Sequence, residues 1–519
     1  MREINVAFEI ERLLQFAKQN KMIEKWDMIL ARNELLALFN VAEPYEGKVL
    51  VEAFETPVDI LKHLLDYAGE AGVIEQDTVT YRDLLDAKIM GLLMPRQSEV
   101  IRRFWDTAKT HGIKQATDDY YQLSQKSNYI RTDRIAKNMY WQVGTAYGDI
   151  EITVNLSKPE KDPKAIAAAR EMKQTHYPKC LLCLENVGYE GRVNHPARQN
   201  HRVIPITLDN EQWFLQYSPY VYYNEHCIVF HEEHIPMKLT DKTFRRFLDF
   251  IEKLPHYFVG SNADLPIVGG SILSHDHFQG GHHTFAMETA RIEKVFYNFQ
   301  YPAVKAGIIK WPMSVIRIAS QDKEQLVQMA MHVLDTWKMH SDASVDIVAH
   351  SDIEGKKVPH NTITPIARMN KAGEFEVDLV LRNNCTSQEY PDGIFHPHQN
   401  LHHIKKENIG LIEVMGLAVL PGRLEEELEM IVNILVGKRV FERAAIEDDE
   451  KLAKHMPWIQ RMVENYGTTL TQESAKKILK QEVGEIFTKV LEDAGVYKRN
   501  EAGTKAFKAF VHHAGFETL

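Results

Sequence analysis

The sequence predicts an α+β protein with mixed, largely antiparallel sheets and helical regions at both ends. Near the N-terminal end, Ile10, Leu13 and Leu14 recur at the spacing of one helix face. Further along, residues 148–156 (GDIEITVNL) alternate apolar and polar side chains, as a half-buried strand does. Strands and helices then follow one another without the strict alternation of βαβ units, which favours antiparallel sheets over a doubly wound parallel sheet.

These patterns divide the 519 residues into four regions. Residues 1–127 are predicted to be a helical N-terminal extension with a packing role. Residues 128–300 and 301–440 are predicted to be two α/β halves, and residues 441–519 a helical C-terminal region. A chain of this length needs two or three folded units and can bury a large core without disulfide cross-links.

Short apolar runs bounded by turn residues predict further strands in both halves. They lie at residues 202–208, 220–224, 227–231, 344–350, 363–369 and 374–382. Residues 241–253 (DKTFRRFLDFIEK) have the periodicity of an amphipathic helix, with Thr240 or Asp241 as the N-cap. The middle of the chain is therefore expected to hold the sheets.

The overall composition argues against several functional classes. The formal net charge is −10 and no basic stripe is present, so no nucleic-acid partner is expected. Four cysteines are too few for a disulfide-framed secreted protein, and the first residues lack a basic segment followed by an apolar run. No apolar stretch approaches the roughly 18 residues that span a bilayer. We therefore expect a cytoplasmic protein without membrane contact.

The segment His275–Gln279 (HDHFQ) is predicted to carry the chemistry. On an extended strand, His275, His277 and Gln279 point to one face. A neutral imidazole can attack phosphorus, and an amide can donate hydrogen bonds to the phosphate oxygens as charge develops. The preceding Gly270 and Ser271 would let backbone approach a phosphate and supply a hydroxyl donor. The alternative is that these histidines are hydrogen-bonded core residues.

Cys180 and Cys183 form a C-x-x-C pair whose thiolates can bind zinc. Only Cys227 and Cys385 remain elsewhere, so histidines are more plausible than cysteines as the other two ligands. Two alternatives stay open at this point. The pair could be a redox site, although KCLLCLENVG does not resemble a strand that runs into a helix, or two buried cysteines without a metal.

The motif H-x-H-x-Q after a strand bearing glycine and serine resembles the active-site strand of galactose-1-phosphate uridylyltransferases, relatives of the histidine-triad nucleotide hydrolases. Four further stretches resemble the second, bacterial type of that family: CLLCLENVGYEGR, QYSPYVYYNEHCIVF, HNTITPIARMN and ENIGLIEVMGLAVLPGRL. The likeness covers roughly residues 128–440. It implies two related halves with a histidine-triad-like fold. The chain departs from the H-P-H-G-Q of the first type at Asp276 and Phe278, whose side chains are expected to face away from the pocket.

The resemblance also implies roles for individual residues. His277 would be the nucleophile, and Gln279 would stabilise the uridylylated intermediate. His275 and a second histidine would complete a structural zinc site with the C-x-x-C pair; His234 is the matching position, with His226 and His231 as alternatives. A second metal near His396 and His398, with His360 and Glu293 as further candidates, is not expected.

Substrate contacts are predicted at a further set of positions. Some follow from the resemblance, which places basic residues near a sugar phosphate and an asparagine near a phosphate; others follow from the aromatic turn QYSPY, which could hold uracil and ribose. The predicted residues are Arg131, Arg134, Tyr217, Ser218, Asn262, Gly270 and Ser271. The alternatives are a solvated basic patch for the arginines and a buried structural turn for QYSPY.

The expected reaction moves UMP from UDP-glucose to galactose 1-phosphate through a uridylyl-histidine, as a step of galactose metabolism. The family is commonly dimeric, so a homodimer is expected. One competing hypothesis is another nucleotidyl phosphorylase or hydrolase of the histidine-triad superfamily, which would use the same histidine. The other is a zinc-stabilised, non-catalytic protein that binds nucleotide sugars.

Overall fold

The structure is a computed structural model that describes residues 4–157, 175–270 and 272–518. Within these ranges, none of the helices is both long enough and apolar enough to cross a membrane.

The described chain contains sixteen helices longer than a single 3₁₀ turn and sixteen strands. The helices are α1 (Val6–Gln19), α2 (Asp27–Leu38), α3 (Val58–Glu70), α4 (Val79–Gly91), α5 (Gln97–His111), α6 (Ile113–Lys126), α7 (Thr132–Ile135), α8 (Asp241–Lys253), α9 (Ala286–Thr289), α10 (Lys323–Met339), α11 (Leu411–Val414), α12 (Leu424–Leu435), α13 (Arg443–Glu447), α14 (Met456–Tyr466), α15 (Gln472–Ala494) and α16 (Glu501–His513). The strands are β1 (Met139–Thr145), β2 (Gly148–Asn155), β3 (Ile204–Leu208), β4 (Glu211–Tyr217), β5 (Cys227–His231), β6 (Phe258–Gly260), β7 (His277–Gly281), β8 (Ile292–Tyr297), β9 (Lys305–Ile309), β10 (Val315–Ser320), β11 (His350–Ile353), β12 (Lys356–Pro359), β13 (Asn361–Met369), β14 (Phe375–Asn383), β15 (Leu417–Pro421) and β16 (Glu517–Thr518).

The first of two compact units comprises the described parts of Met1–Lys137, Ser157–Pro236 and Ser274–His277. Its N-terminal helices share one apolar core, to which α1 contributes the fully buried Ile10 and Leu13. The Asn5 side chain accepts the Phe8 N–H and caps the start of α1. Strands β3, β4 and β5 form an antiparallel meander in the same unit. The helical N-terminal region predicted from the apolar spacing is confirmed.

The second unit comprises Asn138–Leu156, Met237–Leu273 and Phe278–Leu519. Its larger sheet runs in the order β16-β8-β9-β10-β14-β13-β6-β7, and neighbouring strands in this order are antiparallel. In a three-stranded sheet, β2 pairs antiparallel with β1 and parallel with β15. The predicted α+β class with mixed, largely antiparallel sheets is therefore confirmed.

Helix α8 has the bounds that its sequence predicts, and Thr240 is its N-cap. The Thr240 N–H donates to the Thr243 hydroxyl, closing one half of a capping box. Phe244, Phe247 and Ile251 form its buried face. The amphipathic pattern therefore located this helix correctly.

Two of the predicted strands are wrong. Residues 220–224 form a turn, because Val221 and Glu225 adopt positive φ angles of 40° and 52° that end extended structure. Residues 344–350 begin inside a 3₁₀ turn at Ala343–Val345, where the Asp342 side chain accepts the Ser344 N–H, and only His350 belongs to a strand. Each compact unit is built from three separate stretches of the chain. The division into four consecutive regions stays a prediction.

A buried charge network holds the centre of the larger sheet of the second unit. The Asp378 carboxylate is fully buried and accepts two hydrogen bonds from Arg317, at 2.7 and 2.9 Å, and one from Arg368 at 2.7 Å. Burial by itself would raise the pKa of Asp378, but the two guanidinium groups hold that pKa below its usual value. Arg317 also donates to the Met287 carbonyl, which ties α9 to the sheet.

We expect Asp378→Asn to lower the free energy of unfolding by about 3 kcal/mol, because it removes the fully buried carboxylate that both guanidinium groups share and leaves them the less buried Glu376. The measurement is chemical denaturation followed by circular dichroism. Glu447→Gln is the control, since Glu447 pairs with Arg443 at an exposed site and the change there should stay within about 0.5 kcal/mol. Equal effects of the two substitutions would contradict a stabilising role for the network.

Candidate active site and metal centre

The C-x-x-C segment forms a tight turn that Asn186 holds from the inside. The Asn186 Nδ2 donates to the carbonyls of Cys180 at 2.9 Å and Cys183 at 2.8 Å. The Asn186 Oδ1 lies 2.8 Å from the Nε2 of the buried His195, which orients the amide. Both sulfur atoms are therefore presented on the same side, with a separation of 3.6 Å.

Two histidines complete a group of four ligand atoms around this turn. The His275 Nδ1 lies 3.3 Å from the Cys180 sulfur, and the His234 Nδ1 lies 3.2 Å from the Cys183 sulfur. All four candidate ligand atoms lie within 4.8 Å of one another. The ring of His234, and not that of His226 or His231, joins the group.

The donor set and its spacing suit a tetrahedral zinc ion. Zinc–sulfur and zinc–nitrogen bond lengths imply ligand separations of about 3.4–3.8 Å, close to the contacts seen here. The Nε2 of His275 lies 2.8 Å from the His231 carbonyl and donates to it, which leaves Nδ1 with a lone pair directed at the sulfur atoms. Burial raises the pKa of the Cys183 thiol to about 12, so a bound cation is what would favour the thiolate.

His277 is a buried imidazole with a defined tautomer. Its Nδ1 lies 2.8 Å from the His275 carbonyl oxygen, and only a protonated Nδ1 can donate to that acceptor. The other nitrogen, Nε2, therefore carries the lone pair. Burial lowers the pKa of His277 to about 4, so the ring is neutral near pH 7. A neutral ring with an available lone pair is the state that nucleophilic attack requires.

Main-chain hydrogen bonds fix the segment that links the metal ligands to His277. The Asp276 N–H donates to the Ile235 carbonyl at 2.7 Å, and the His231 N–H donates to the Asp276 carbonyl at 3.0 Å. The segment that carries His234 therefore pairs with the one that carries His275 and His277. Their backbone positions depend on each other.

Gln279 follows His277 on strand β7, which begins at His277 and so does not include His275. Gln279 is partly exposed, and its Cα pairs with that of Gly260 on β6. Phe278, between them, is buried with its ring 4.9 Å from that of Phe247 on α8. Because side chains alternate along a strand, the buried phenylalanine places Gln279 on the opposite face.

Asn262 and Gly270 lie next to each other in the second unit. The Asn262 Oδ1 accepts the Leu411 N–H at 2.9 Å. A Cβ on Gly270 would lie 2.6 Å from the Asn262 Nδ2, so only glycine allows this approach. Ser271, the third predicted contact in this stretch, lies outside the described residues.

The other predicted substrate contacts have partners within the protein. Arg134 forms two hydrogen bonds with Asp83, at 2.9 and 2.5 Å, and Arg131 lies 3.3 Å from the Asp86 carboxylate. Tyr217 is fully buried and donates its hydroxyl hydrogen to the Thr117 carbonyl. Tyr217 could contact a substrate only through its main-chain atoms or after its side chain moved out of the buried position. These contacts stay predictions.

Ser218, next to Tyr217, is also buried, and its N–H donates to the His226 carbonyl. Its hydroxyl accepts the Tyr220 N–H at 3.4 Å, so the QYSPY segment includes a local turn. Its predicted contact with substrate likewise stays a prediction.

The second histidine-rich segment has a different environment. His396 Nε2 lies 3.2 Å from the Asn408 Oδ1, and His398 Nε2 lies 3.1 Å from the Ile394 carbonyl. His360 lies between Ser351 and Asn384, and Glu293 pairs with Arg499. Within the described ranges, the group of Cys180, Cys183, His234 and His275 is the one that meets the spacing of a metal site.

The residues that support the site were not predicted from sequence patterns. Asn186 and His195 hold the cysteine turn, and the His231 carbonyl orients His275. Asn186 lies three residues after Cys183, but an asparagine at that spacing is common in turns and does not identify a brace. Their roles depend on main-chain geometry that no residue pattern reports.

Sequence comparisons place the chain in a known family. Residues 13–236 match the profile for the N-terminal domain of galactose-1-phosphate uridyl transferase, and residues 250–435 match that for its C-terminal domain. A galactose-1-phosphate uridylyltransferase of Caldanaerobacter subterraneus subsp. tengcongensis is 60% identical over 519 residues, which is 100% of both chains. The chain belongs to the galactose-1-phosphate uridylyltransferase family.

Other relatives agree over the full length. The galactose-1-phosphate uridylyltransferase of Halalkalibacterium halodurans is 54% identical across 98% of this chain and 99% of its own. That of Bacillus subtilis is 51% identical across 99% and 98%. Among solved structures, yeast Ap4A phosphorylase Apa2 aligns with 65% of this chain and 89% of its own, at 12% identity and a TM-score of 0.30, a likeness too weak to support an argument. Family membership confirms the predicted enzyme class, a nucleotidyltransferase.

We expect the purified protein to bind about one zinc ion per chain and Cys183→Ser to lose most of it, because one of four ligands is removed. Elemental analysis of dialysed protein measures the content. Cys385→Ser is the matched control, since Cys385 is buried but stands outside the four-ligand group. Equal zinc content in both variants would contradict the assigned site.

Proposed function

We propose that this chain transfers UMP from UDP-glucose to galactose 1-phosphate through a uridylyl-histidine at His277, a step of galactose metabolism. The observation that carries the proposal is the neutral, buried His277 ring, whose Nδ1–H donates to the His275 carbonyl and whose Nε2 keeps its lone pair. The names of the relatives support uridylyl transfer to galactose 1-phosphate, and the choice of UDP-glucose as donor follows from the family resemblance of the H-x-H-x-Q motif.

In the first half-reaction, the His277 Nε2 attacks the α-phosphorus of UDP-glucose. A nitrogen–phosphorus bond forms, the bond from that phosphorus to the bridging oxygen breaks, and glucose 1-phosphate leaves with the electron pair. The ring then carries a positive charge, and its Nδ1–H donates more strongly to the His275 carbonyl. The amide of Gln279 donates to a non-bridging oxygen as negative charge develops there.

In the second half-reaction, a phosphate oxygen of galactose 1-phosphate attacks the same phosphorus. The nitrogen–phosphorus bond breaks, its electron pair returns to Nε2, and UDP-galactose leaves. His277 regains the neutral tautomer with which it started, so no net proton transfer is needed. Two successive displacements through a covalent intermediate predict ping-pong kinetics.

The group of Cys180, Cys183, His234 and His275 acts through geometry in this proposal. A zinc ion bound there would supply structural cross-linking and no contact with the substrate. The ligand His275 provides the carbonyl that selects the tautomer of His277. The pairing of Asp276 with His231 and Ile235 holds that carbonyl in place.

The test is intact-protein mass spectrometry after mixing the protein with UDP-glucose alone. Wild type is expected to gain the mass of one uridylyl group and to lose it when galactose 1-phosphate is added. His277→Ala should gain nothing, whereas the control His111→Ala, at the exposed end of α5, should behave as wild type.

Three outcomes would contradict the proposal. Loss of the nucleotide to water or inorganic phosphate, without transfer to galactose 1-phosphate, would indicate a hydrolase or phosphorylase. Binding without an adduct in wild type would indicate a non-catalytic nucleotide-sugar-binding protein or direct transfer. An adduct that persists in His277→Ala would place the nucleophile elsewhere.

A further inference from the structure

Asn262 carries an amide whose orientation is set by a single main-chain contact. A backbone N–H can be accepted by the amide oxygen but not by the amide nitrogen, so the 2.9 Å bond from the Leu411 N–H fixes Oδ1 toward Leu411. The Nδ2 is then directed to the other side, beside Gly270. Across the described ranges, no residue accepts a hydrogen bond from it, and the side chain is 5% exposed.

Residues 409–413, here called the 409–413 turn, comprise Ile409, Gly410 and the first three residues of α11, and supply this N–H. Hydrogen bonds hold both the carbonyl and the N–H of the peptide group between Ile409 and Gly410. Arg382, which is 1% exposed, donates to the Ile409 carbonyl at 2.9 Å. The Glu413 Oε2 accepts the Gly410 N–H at 3.1 Å. The next N–H along the chain, that of Leu411, is the one that Asn262 accepts. The 409–413 turn therefore presents Leu411 N–H in a fixed direction.

Glu413 is in turn fixed by a buried cation. The Lys405 Nζ lies 2.9 Å from the Glu413 Oε1 and also donates to the Val419 carbonyl at 3.1 Å. Lys405 and Glu413 are 4% and 9% exposed. One carboxylate oxygen thus pairs with the ammonium group and the other with the Gly410 N–H. Moving the carboxylate would leave the buried ammonium group with only the exposed Glu407, 3.7 Å away, as its ion-pair partner, which is costly.

We propose that Glu413 is a positioning residue that acts through the 409–413 turn and the Leu411 N–H to hold the Asn262 Nδ2 as a preoriented donor to a phosphate oxygen of the nucleotide sugar. The inference rests on the proposed uridylyl transfer and adds the residue that orients one of its donors. Asn262 lies two residues beyond Gly260, the last residue of β6, whose Cα pairs with that of Gln279 on the neighbouring strand β7. Glycine at position 270 leaves room for the donor.

The orientation matters because the oxygen of an asparagine amide carries a partial negative charge, whereas its NH₂ group carries a partial positive charge. If the turn loosens, the amide can rotate and direct Oδ1 at the phosphate, which replaces an attraction with a repulsion. Removing one preorganised donor from a developing oxyanion typically slows the reaction about 100-fold. If the amide is misdirected for only part of the time, the rate falls by less than this 100-fold.

The test is a double-mutant cycle on the first half-reaction, measured as the single-turnover rate of uridylylation at saturating UDP-glucose. Asn262→Asp keeps an oxygen for the Leu411 N–H but replaces the donor with a carboxylate oxygen, and is expected to lower the rate about 100-fold. Glu413→Ala is expected to lower it about tenfold, with little change in UDP-glucose affinity. The double variant should match Asn262→Asp alone, because Glu413 then has no donor to orient.

Two further variants separate positioning from folding. Glu413→Gln combined with Lys405→Met keeps an acceptor for the Gly410 N–H and removes the ammonium group that the amide Nε2 would otherwise face. This combined variant should recover the rate to within about threefold of wild type, even if Glu413→Ala proves unstable. Glu447→Ala, which removes a carboxylate of the same kind from the exposed pair with Arg443, should leave the rate unchanged.

The outcomes distinguish this inference from the function on which it rests. Wild type that never accepts a uridylyl group would overturn the proposed function and this inference together. Wild type that is uridylylated, with a double variant about tenfold slower than Asn262→Asp, would overturn the positioning role alone, because independent effects multiply. A rate of the combined Glu413→Gln and Lys405→Met variant as low as that of Glu413→Ala would also overturn it.

Discussion

The hydrogen bond from the His277 Nδ1–H to the His275 carbonyl is the interaction on which the site depends. It selects which ring nitrogen carries the proton, and so which one faces phosphorus. Without it the two tautomers would compete, and the buried ring would present a proton instead of a lone pair for part of the time. Because the acceptor is a main-chain carbonyl, no change of side chain at position 275 removes it directly; the backbone must move.

The remaining contacts in the first unit keep that carbonyl still. Asp276 pairs in both directions with the segment that includes His231 and Ile235, and the four-ligand group closes around the same two stretches of chain. His275 and His277 use opposite tautomers, since His275 donates from Nε2 and His277 from Nδ1. The two histidines on either side of Asp276 therefore have hydrogen bonds suited to the different roles predicted for them, one as a metal ligand and one as a nucleophile.

Local patterns in the sequence were sufficient where neighbours in the chain determine the structure. The periodicity of residues 241–253 located α8, and the C-x-x-C pair and the first histidine of H-x-H-x-Q are brought together in the first unit. Patterns failed at residues 220–224 and 344–350, whose apolar content resembles that of strands but whose polar neighbours favour turns. They could not reveal the contact of Asn262 with Leu411, which joins residues 149 positions apart.

The burial of His277 has a consequence for the direction of the proposed reaction. An environment that disfavours positive charge on the ring does so both for a proton and for a uridylyl group, since either one makes the imidazole cationic. Burial therefore makes the proposed adduct less stable than the same adduct on an exposed histidine would be. The same burial that keeps the ring neutral for attack thus also favours passing the uridylyl group on.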